Sequence, residues 1–409
     1  MTPNETYMTA FLESLLEIAR GFGGEDIIDR FQSVKTEREK YLSEQWKDQV
    51  HDIGPAITRN IDFEQLLVLL YKKLPEDSPE LFEAKLAVVK LCLQFNEYEK
   101  ARSILEPLSK EEQSVTRQAT IAMHQGKLAL LRNRYDASAE HYKKAVNLYS
   151  RTQNYRGQAS AYNNLGIISH EQWQSKTGKT YFNKAKNLFP NIQDQQLKIS
   201  VNINLGIVNG IQGEYEKAYE IFNDLLRNID EKNSVAKLQL LINKGISARD
   251  AGKLEESMDA LKLAIDLSNN VKNGRFLALS KHGLAETFVL QGNLKESSDS
   301  LISAFKIFSK IHDKIFIADT YRVFGLLHIE RGQYELAESE IEISLRINNE
   351  SGNIPNLAES YKAYSRLADI RGDTARQKEF LHKAISLCET MQATKRVERL
   401  QKELERLQN

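Results

Sequence analysis

The sequence predicts an all-α protein built from repeated helical hairpins, and three observations carry that reading. Only 7 Pro and 20 Gly occur among 409 residues, so little interrupts helices made from abundant Leu, Ala, Glu, Lys and Gln. The chain is longer than one compact core usually organises, which calls for several domains or a repetitive architecture. One phrase also returns at a nearly fixed interval: a small residue, a turn residue seven positions later, then an aromatic or Leu, then Ala or Ser.

The first markers of this phrase are Gly126, Gly166, Gly206, Gly245, Ala285, Gly325 and Ser365, spaced by 39 or 40 residues. The second markers are Asn133, Trp173, Gly213, Gly252, Gly292, Gly332 and Gly372. Apolar residues between them fall at helical spacing, and the second marker stands where a chain turning back needs a left-handed backbone. Each unit is therefore a helical hairpin. In VNINLGIVNGIQGEYEKAYEIFNDLL, Leu205 and Gly206 lie on the first helix and Tyr215, Ala218 and Phe222 on the second. The same frame around Gly166 contains Gly178, Phe182, Ala185 and Pro190. Ser257, Ser297 and the bulkier Gln377 replace the Ala of the second helix in their units. A weaker copy, LAVVKLCLQFNEYEKARSILEPL, carries Asn96, Tyr98 and Ala101, making eight units from about Pro79 to Cys388.

These units resemble tetratricopeptide repeats (TPRs), in which small residues such as Gly206 and Ala218 let two helices approach closely. The resemblance covers about three quarters of the chain. The familiar repeat has 34 residues, so 40 implies an extra turn or so of helix with longer joints. With an Asn ahead of Leu-Gly, the units are similar to those of kinesin light chain, the LGN polarity adaptors, and the bacterial Rap and PlcR-type peptide-sensing regulators. The resemblance implies a right-handed superhelical solenoid that grips a peptide or protein segment in a concave groove.

Residues 1–78 lack the marker spacing, yet apolar residues recur helically over about 5–21, 25–49 and 61–74, punctuated by Gly21, Gly23, Gly24, Gly54 and Pro55. They predict an N-terminal helical bundle, with the apolar run Leu66 to Tyr71 buried against the first repeat. The solenoid is expected over 79–389. Residues 390–409 place Val397, Leu400, Leu404 and Leu407 at alternating spacings of three and four. That seam suits a helix capping the open end of the stack, and it is also the surface through which a dimer would form.

Composition narrows the function classes. Lys+Arg and Asp+Glu both total 56, so the charge balance calls for neither nucleic acid nor an anionic membrane. The N-terminus lacks a basic start followed by a pure apolar run, since Glu13 and Glu17 interrupt it. No uninterrupted apolar stretch is long enough to span a bilayer, which leaves a reducing cytosol as the default compartment. Cys92 and Cys388 have no metal-spaced neighbours and read as small buried hydrophobes.

Fragments that suggest catalysis fail on spacing. Gly178, Lys179 and Thr180 look like the tail of a phosphate loop, but Trp173 stands where its first glycine is required. His170 and Glu171 begin a zinc-helix phrase, but Gln174 replaces the second His. The expectation is a protein that is not an enzyme and takes no cofactor or metal.

Binding is expected on the first helices, which line the concave side of stacked hairpins of this family. Two residues before each first marker stand His124, Asn164, Asn204, Asn243, Gly283, Val323 and Ala363. Three consecutive asparagines make a ladder whose amides match the N–H and C=O of an extended peptide, whatever its side chains. The alternative is that they bond a neighbouring helix. One residue earlier the row ends in His282, Arg322 and Lys362, and one residue after the markers it adds Lys127 and Arg366. This cationic cluster would face acidic side chains or the terminal carboxylate of a ligand, unless Glu286, Glu359 and Asp369 neutralise it.

Three readings of function stand side by side: an adaptor holding an extended segment of a partner, a Rap-like peptide-responsive regulator whose N-terminal bundle binds a signalling protein, and a structural oligomer subunit.

Overall fold

The computed structural model describes residues 3–23, 25–45, 55–76, 78–112, 114–230 and 233–407. Among them are twenty α-helices, one short 3-10 turn and no strand. The chain divides into two compact units, Met1–Gln153 and Asn154–Asn409.

The first unit opens with α1 (Pro3–Gly23), α2 (Glu25–Gln45) and α3 (Pro55–Lys73), followed by the hairpins α4 (Pro79–Gln94) with α5 (Tyr98–Glu111) and α6 (Val115–Leu131) with α7 (Tyr135–Arg151). Helix α1 continues through Gly21, and α3 begins at Pro55, ahead of the expected residue 61. Proline is suited to a first turn, whose N–H groups have no intrahelical acceptor. The expected breaks at Gly24 and Gly54, and residues 46–49 of the second stretch, lie outside the described residues.

One apolar cluster joins Phe11 and Leu15 of α1, Phe31 of α2, Phe63, Leu66 and Leu70 of α3, Cys92 of α4, Leu105 of α5 and Ile121 of α6. The sequence places a boundary at 78/79, but apolar burial is continuous there, and the compact division comes only after Gln153. Both cysteines are buried, and burial pushes the Cys92 thiol up to about 12.

The second unit contains six hairpins. They are α8 (Tyr155–Glu171) with α9 (Ser175–Lys186), α10 (Gln195–Ile211) with α11 (Tyr215–Asn228), and α12 (Ser234–Asp250) with α13 (Leu254–Asn270). There follow α14 (Gly274–Gln291) with α15 (Leu294–Lys310), α16 (Lys314–Glu330) with α17 (Tyr334–Glu350), and α18 (Ile354–Ile370) with α19 (Thr374–Thr390). Helix α20 (Thr394–Arg406) closes the series. Helix α9 is short because Pro190 follows in the 3-10 turn Phe189–Asn191 and cannot donate to a continuing helix.

Five hairpins share one close approach, at Gly126, Gly166, Gly206, Gly245 and Gly325. A Cβ at Gly206 would lie 2.5 Å from the Phe222 ring, and one at Gly166 would lie 2.4 Å from Phe182. Gly245 and Gly325 receive Leu261 and Ile341 at 2.5 Å in the same way. The first marker is therefore small because a large side chain, sixteen residues later, seats on its backbone. Serine in place of Ala on the second helix keeps the approach close and adds a bond: Ser297 Oγ donates to Ala285 O at 2.9 Å.

All seven second markers have positive φ, from 56° at Asn133 to 82° at Gly213. A cap series marks the first helices as well. Asn154, Asp194, Asn233, Asn273, Asp313 and Asn353 each accept a backbone N–H three residues on. At the next interval stands Ala393, fully buried and without a side-chain cap.

Within the second unit, α12, α14, α16 and α18 approach their first-helix neighbours more closely than the second helices approach theirs. The first helices thus lie on the inside of the curve.

Candidate functional site: the inner face of the second unit

The asparagine row lies on the first helices α8, α10 and α12 of this inner face. Asn164, Asn204 and Asn243 are all half-buried. Asn204 Nδ2 donates to Asn163 Oδ1 of the preceding repeat at 3.0 Å, so this member bonds a neighbouring helix. Sequence reasoning passed over Asn163, although it stands beside Asn164 in the same phrase. One repeat on, the position equivalent to Asn163 holds Ile203, an apolar side chain. Asn243 Nδ2 is buried and has no acceptor.

Further along the inner face the side chains form a charged network across three first helices. Arg322 of α16 donates from Nη1 to Glu286 Oε1 of α14 at 2.9 Å and from Nε to Asp319 Oδ1 at 2.7 Å. Arg249 of α12 pairs with the other oxygen of Glu286 and with Asp250. His282 Nε2 lies 3.5 Å from Asp319 Oδ2. Arg322 and His282 are each only 5% exposed.

Burial works against the charge on Glu286, but Arg249 and Arg322 outweigh it and hold its pKa well below the carboxylate range. Burial equally opposes the charge on Arg322, and Asp319 with Glu286 overcomes it, raising the pKa well above the ordinary value. His282 is pushed down by burial, with Asp319 acting against that shift.

The expected cationic cluster is therefore occupied by the chain's own carboxylates. Lys362 Nζ is 3.8 Å from Glu359 and half-exposed, while Arg366 pairs with Glu330 of α16. Glu359 also pairs with Arg396 of α20. Its pKa falls to about 2, because Lys362, Arg396 and Arg322 together exceed the opposing effect of burial. Glu286 and Glu359 act as the neutralising partners named from sequence, whereas Glu330 and Asp319 were found only by proximity.

His124 and Lys127 belong to the first unit. Lys127 is exposed and His124 half-buried. Burial, then Lys90 and Lys127, lower the His124 pKa to about 4. The phosphate-loop fragment has a different use: Lys179 Nζ donates to Glu214 Oε1 at 2.8 Å, in the second helix of a repeat. Among the described residues, no group of three or more His, Cys, Asp or Glu is placed to hold a metal ion. Nor is any described helix long and apolar enough to cross a membrane.

The seam of α20 is buried within its own unit. Leu400 and Leu404, with the partly buried Val397 and Leu407 beside them, join one cluster with Leu381, Ile385, Cys388 and Met391.

The sequence matches no family model. No curated protein matches it in sequence. Solved structures are similar in fold. The apo form of RapI superposes with a TM-score of 0.63 at 15% identity, covering 94% of this chain and 98% of that one. The apo form of the quorum sensor NprR from B. thuringiensis gives 0.59 at 15% identity, covering 87% and 99%. NprR in complex with its cognate peptide NprX gives 0.58 at 14% identity, covering 82% and 100%. The chain is thus an all-α solenoid of TPR type, similar in fold to the bacterial Rap and NprR structures.

Proposed function

We propose that the protein binds an extended peptide, or an extended segment of a protein, along the inner face of residues 154–409. The observation that carries this reading is the buried, unpartnered donor of Asn243 in a row of inner-face asparagines. A buried N–H without an acceptor costs free energy that nothing in the free chain returns, and a peptide carbonyl is the kind of group that satisfies it. The fold shared with NprR, which was solved with its cognate peptide, supports the choice of ligand. Three amide hydrogen bonds contribute a few kcal/mol, about millimolar binding, so side-chain pockets must supply the rest. An acidic ligand group would have to compete with Glu286, Glu330 and Glu359 for their cations, so the asparagines carry the proposal rather than the charges.

One observation favours the regulator over a static adaptor. The similarity to RapI extends over 94% of the chain and so takes in most of residues 1–78 as well as the repeats. On this reading the peptide is a signal, and the N-terminal helices contact a second protein in the cytosol. Selection from a displayed peptide library, followed by titration of the selected peptide, tests the site. Asn164→Ala, Asn204→Ala and Asn243→Ala combined should weaken that peptide at least about tenfold. Unchanged affinity in the folded triple variant would remove the inner-face row from the binding site.

A further inference from the structure

Stacked repeats ordinarily touch only their neighbours, and the second unit departs from this where its last helix meets its first hairpins. Arg399 of α20 donates from Nη2 to Gly213 O at 2.8 Å, a contact spanning 186 residues. The Arg399 guanidinium also lies 4.6 Å from the centre of the Tyr215 ring. Ser175 Oγ, buried at the start of α9, donates to Met391 O, and Trp173 packs against the apolar cluster of α19 and α20. Gly213 sits so close to α20 that an added Cβ would meet Arg396 Cγ at 2.9 Å.

The two faces of α20 are unlike. Its leucines bury in the cluster shared with α19, whereas toward Gly213 and Tyr215 it presents arginine. Open cavities of about 440 and 410 Å³ lie along this second junction, lined by Lys176, Lys179, Glu214, Lys395 and Glu398 among others. Individually modest polar contacts around open space hold such a junction, unlike the close packing inside each hairpin.

We propose that the Gly213 carbonyl and the Tyr215 ring form a guanidinium-binding site that Arg399 fills in cis, making α20 a releasable clasp on the second unit. An arginine-bearing helical segment of a partner is the class of ligand that would compete for it. The proposal does not depend on the asparagine row, and either can fail alone.

Hydrogen exchange on the full chain tests it. In Arg399→Ala, amides of residues 212–216 and 394–406 should exchange at least about tenfold faster, together, with α12, α14 and α16 unchanged. A synthetic peptide of the Thr394–Arg406 sequence, added to this variant, should restore protection at 212–216. The same peptide with alanine at its Arg399 position should not. The proposal is overturned if neither segment changes, if α20 alone loosens, if protection falls throughout 154–409, or if the two peptides act alike. Should Arg399→Ala fail to fold, Ser175→Ala, which removes one hydroxyl, is read by the same pattern of paired loosening at both edges.

Discussion

Arg322 and Asn243 occupy the same inner surface and call for opposite treatment. Arg322 is 5% exposed and holds two carboxylates that are themselves nearly buried. Removing one partner of such a network leaves uncompensated charge, so Arg322→Ala should cost about 3 to 5 kcal/mol in urea unfolding. A loss under 1 kcal/mol would mean the network is solvated and open to ligand. Asn243 has a donor with no acceptor, so Asn243→Leu should leave stability unchanged or raise it by up to about 1 kcal/mol while weakening peptide capture by up to about tenfold. Destabilisation by Asn243→Leu would show that the amide has a structural partner after all. Both residues were visible from their lattice positions. Their unlike environments were not, because these depend on Ile203 and Glu286 from neighbouring repeats.

Helix boundaries obey two local rules, and only one was read from the sequence. Glycine or asparagine at the hairpin turns pointed to left-handed backbone, and the second markers all adopt it. The turns between hairpins adopt it too, at Gln153, Lys272, His312 and Gln392, residues that carry no such signal. Tertiary stacking holds them there against a local preference of about 1 to 2 kcal/mol. His312→Gly should accordingly raise stability by up to about 1 kcal/mol in thermal unfolding, and a decrease would show that the imidazole makes a compensating contact. The Asn and Asp caps of the first helices recur at the repeat interval and were legible but unread. Asn273→Ala should cost about 1 kcal/mol, and no change would mean that stacking alone sets where α14 begins. Within a hairpin, Gly206→Ala drives a Cβ into Phe222 and should cost about 1 to 3 kcal/mol by overpacking.

For the whole chain, acid stability should reflect two sets of groups. His124 titrates near 4 when folded and near 6.5 when unfolded, so the unfolded state binds the proton first. Stability is then full above about pH 6.5 and declines as pH falls toward 4, by up to about 3 kcal/mol from this residue. Glu359, depressed to about 2, contributes stability that is present above its ordinary carboxylate range and lost as pH falls through about 2. Urea unfolding at a series of pH values should show both limbs, and His124→Gln should flatten only the upper one. If both slopes survive that substitution, the upper limb belongs to another group, with His282 the first to examine because burial lowers it too.

The sequence alone determined the helical hairpin, its period and the eight units, because these follow from local propensity and from one small residue facing one large residue sixteen positions on. It also placed Asn164, Asn204 and Asn243 on successive first helices, since a repeat lattice maps sequence offsets onto equivalent positions. Tertiary structure decided what the rows do: that Asn204 is satisfied by Asn163, that the cations are matched by this chain's carboxylates, and that α20 returns to Gly213. The first two depend on which side chains adjacent repeats bring together, and the last on curvature, the sum of small rotations over many repeats, which no single repeat's sequence encodes.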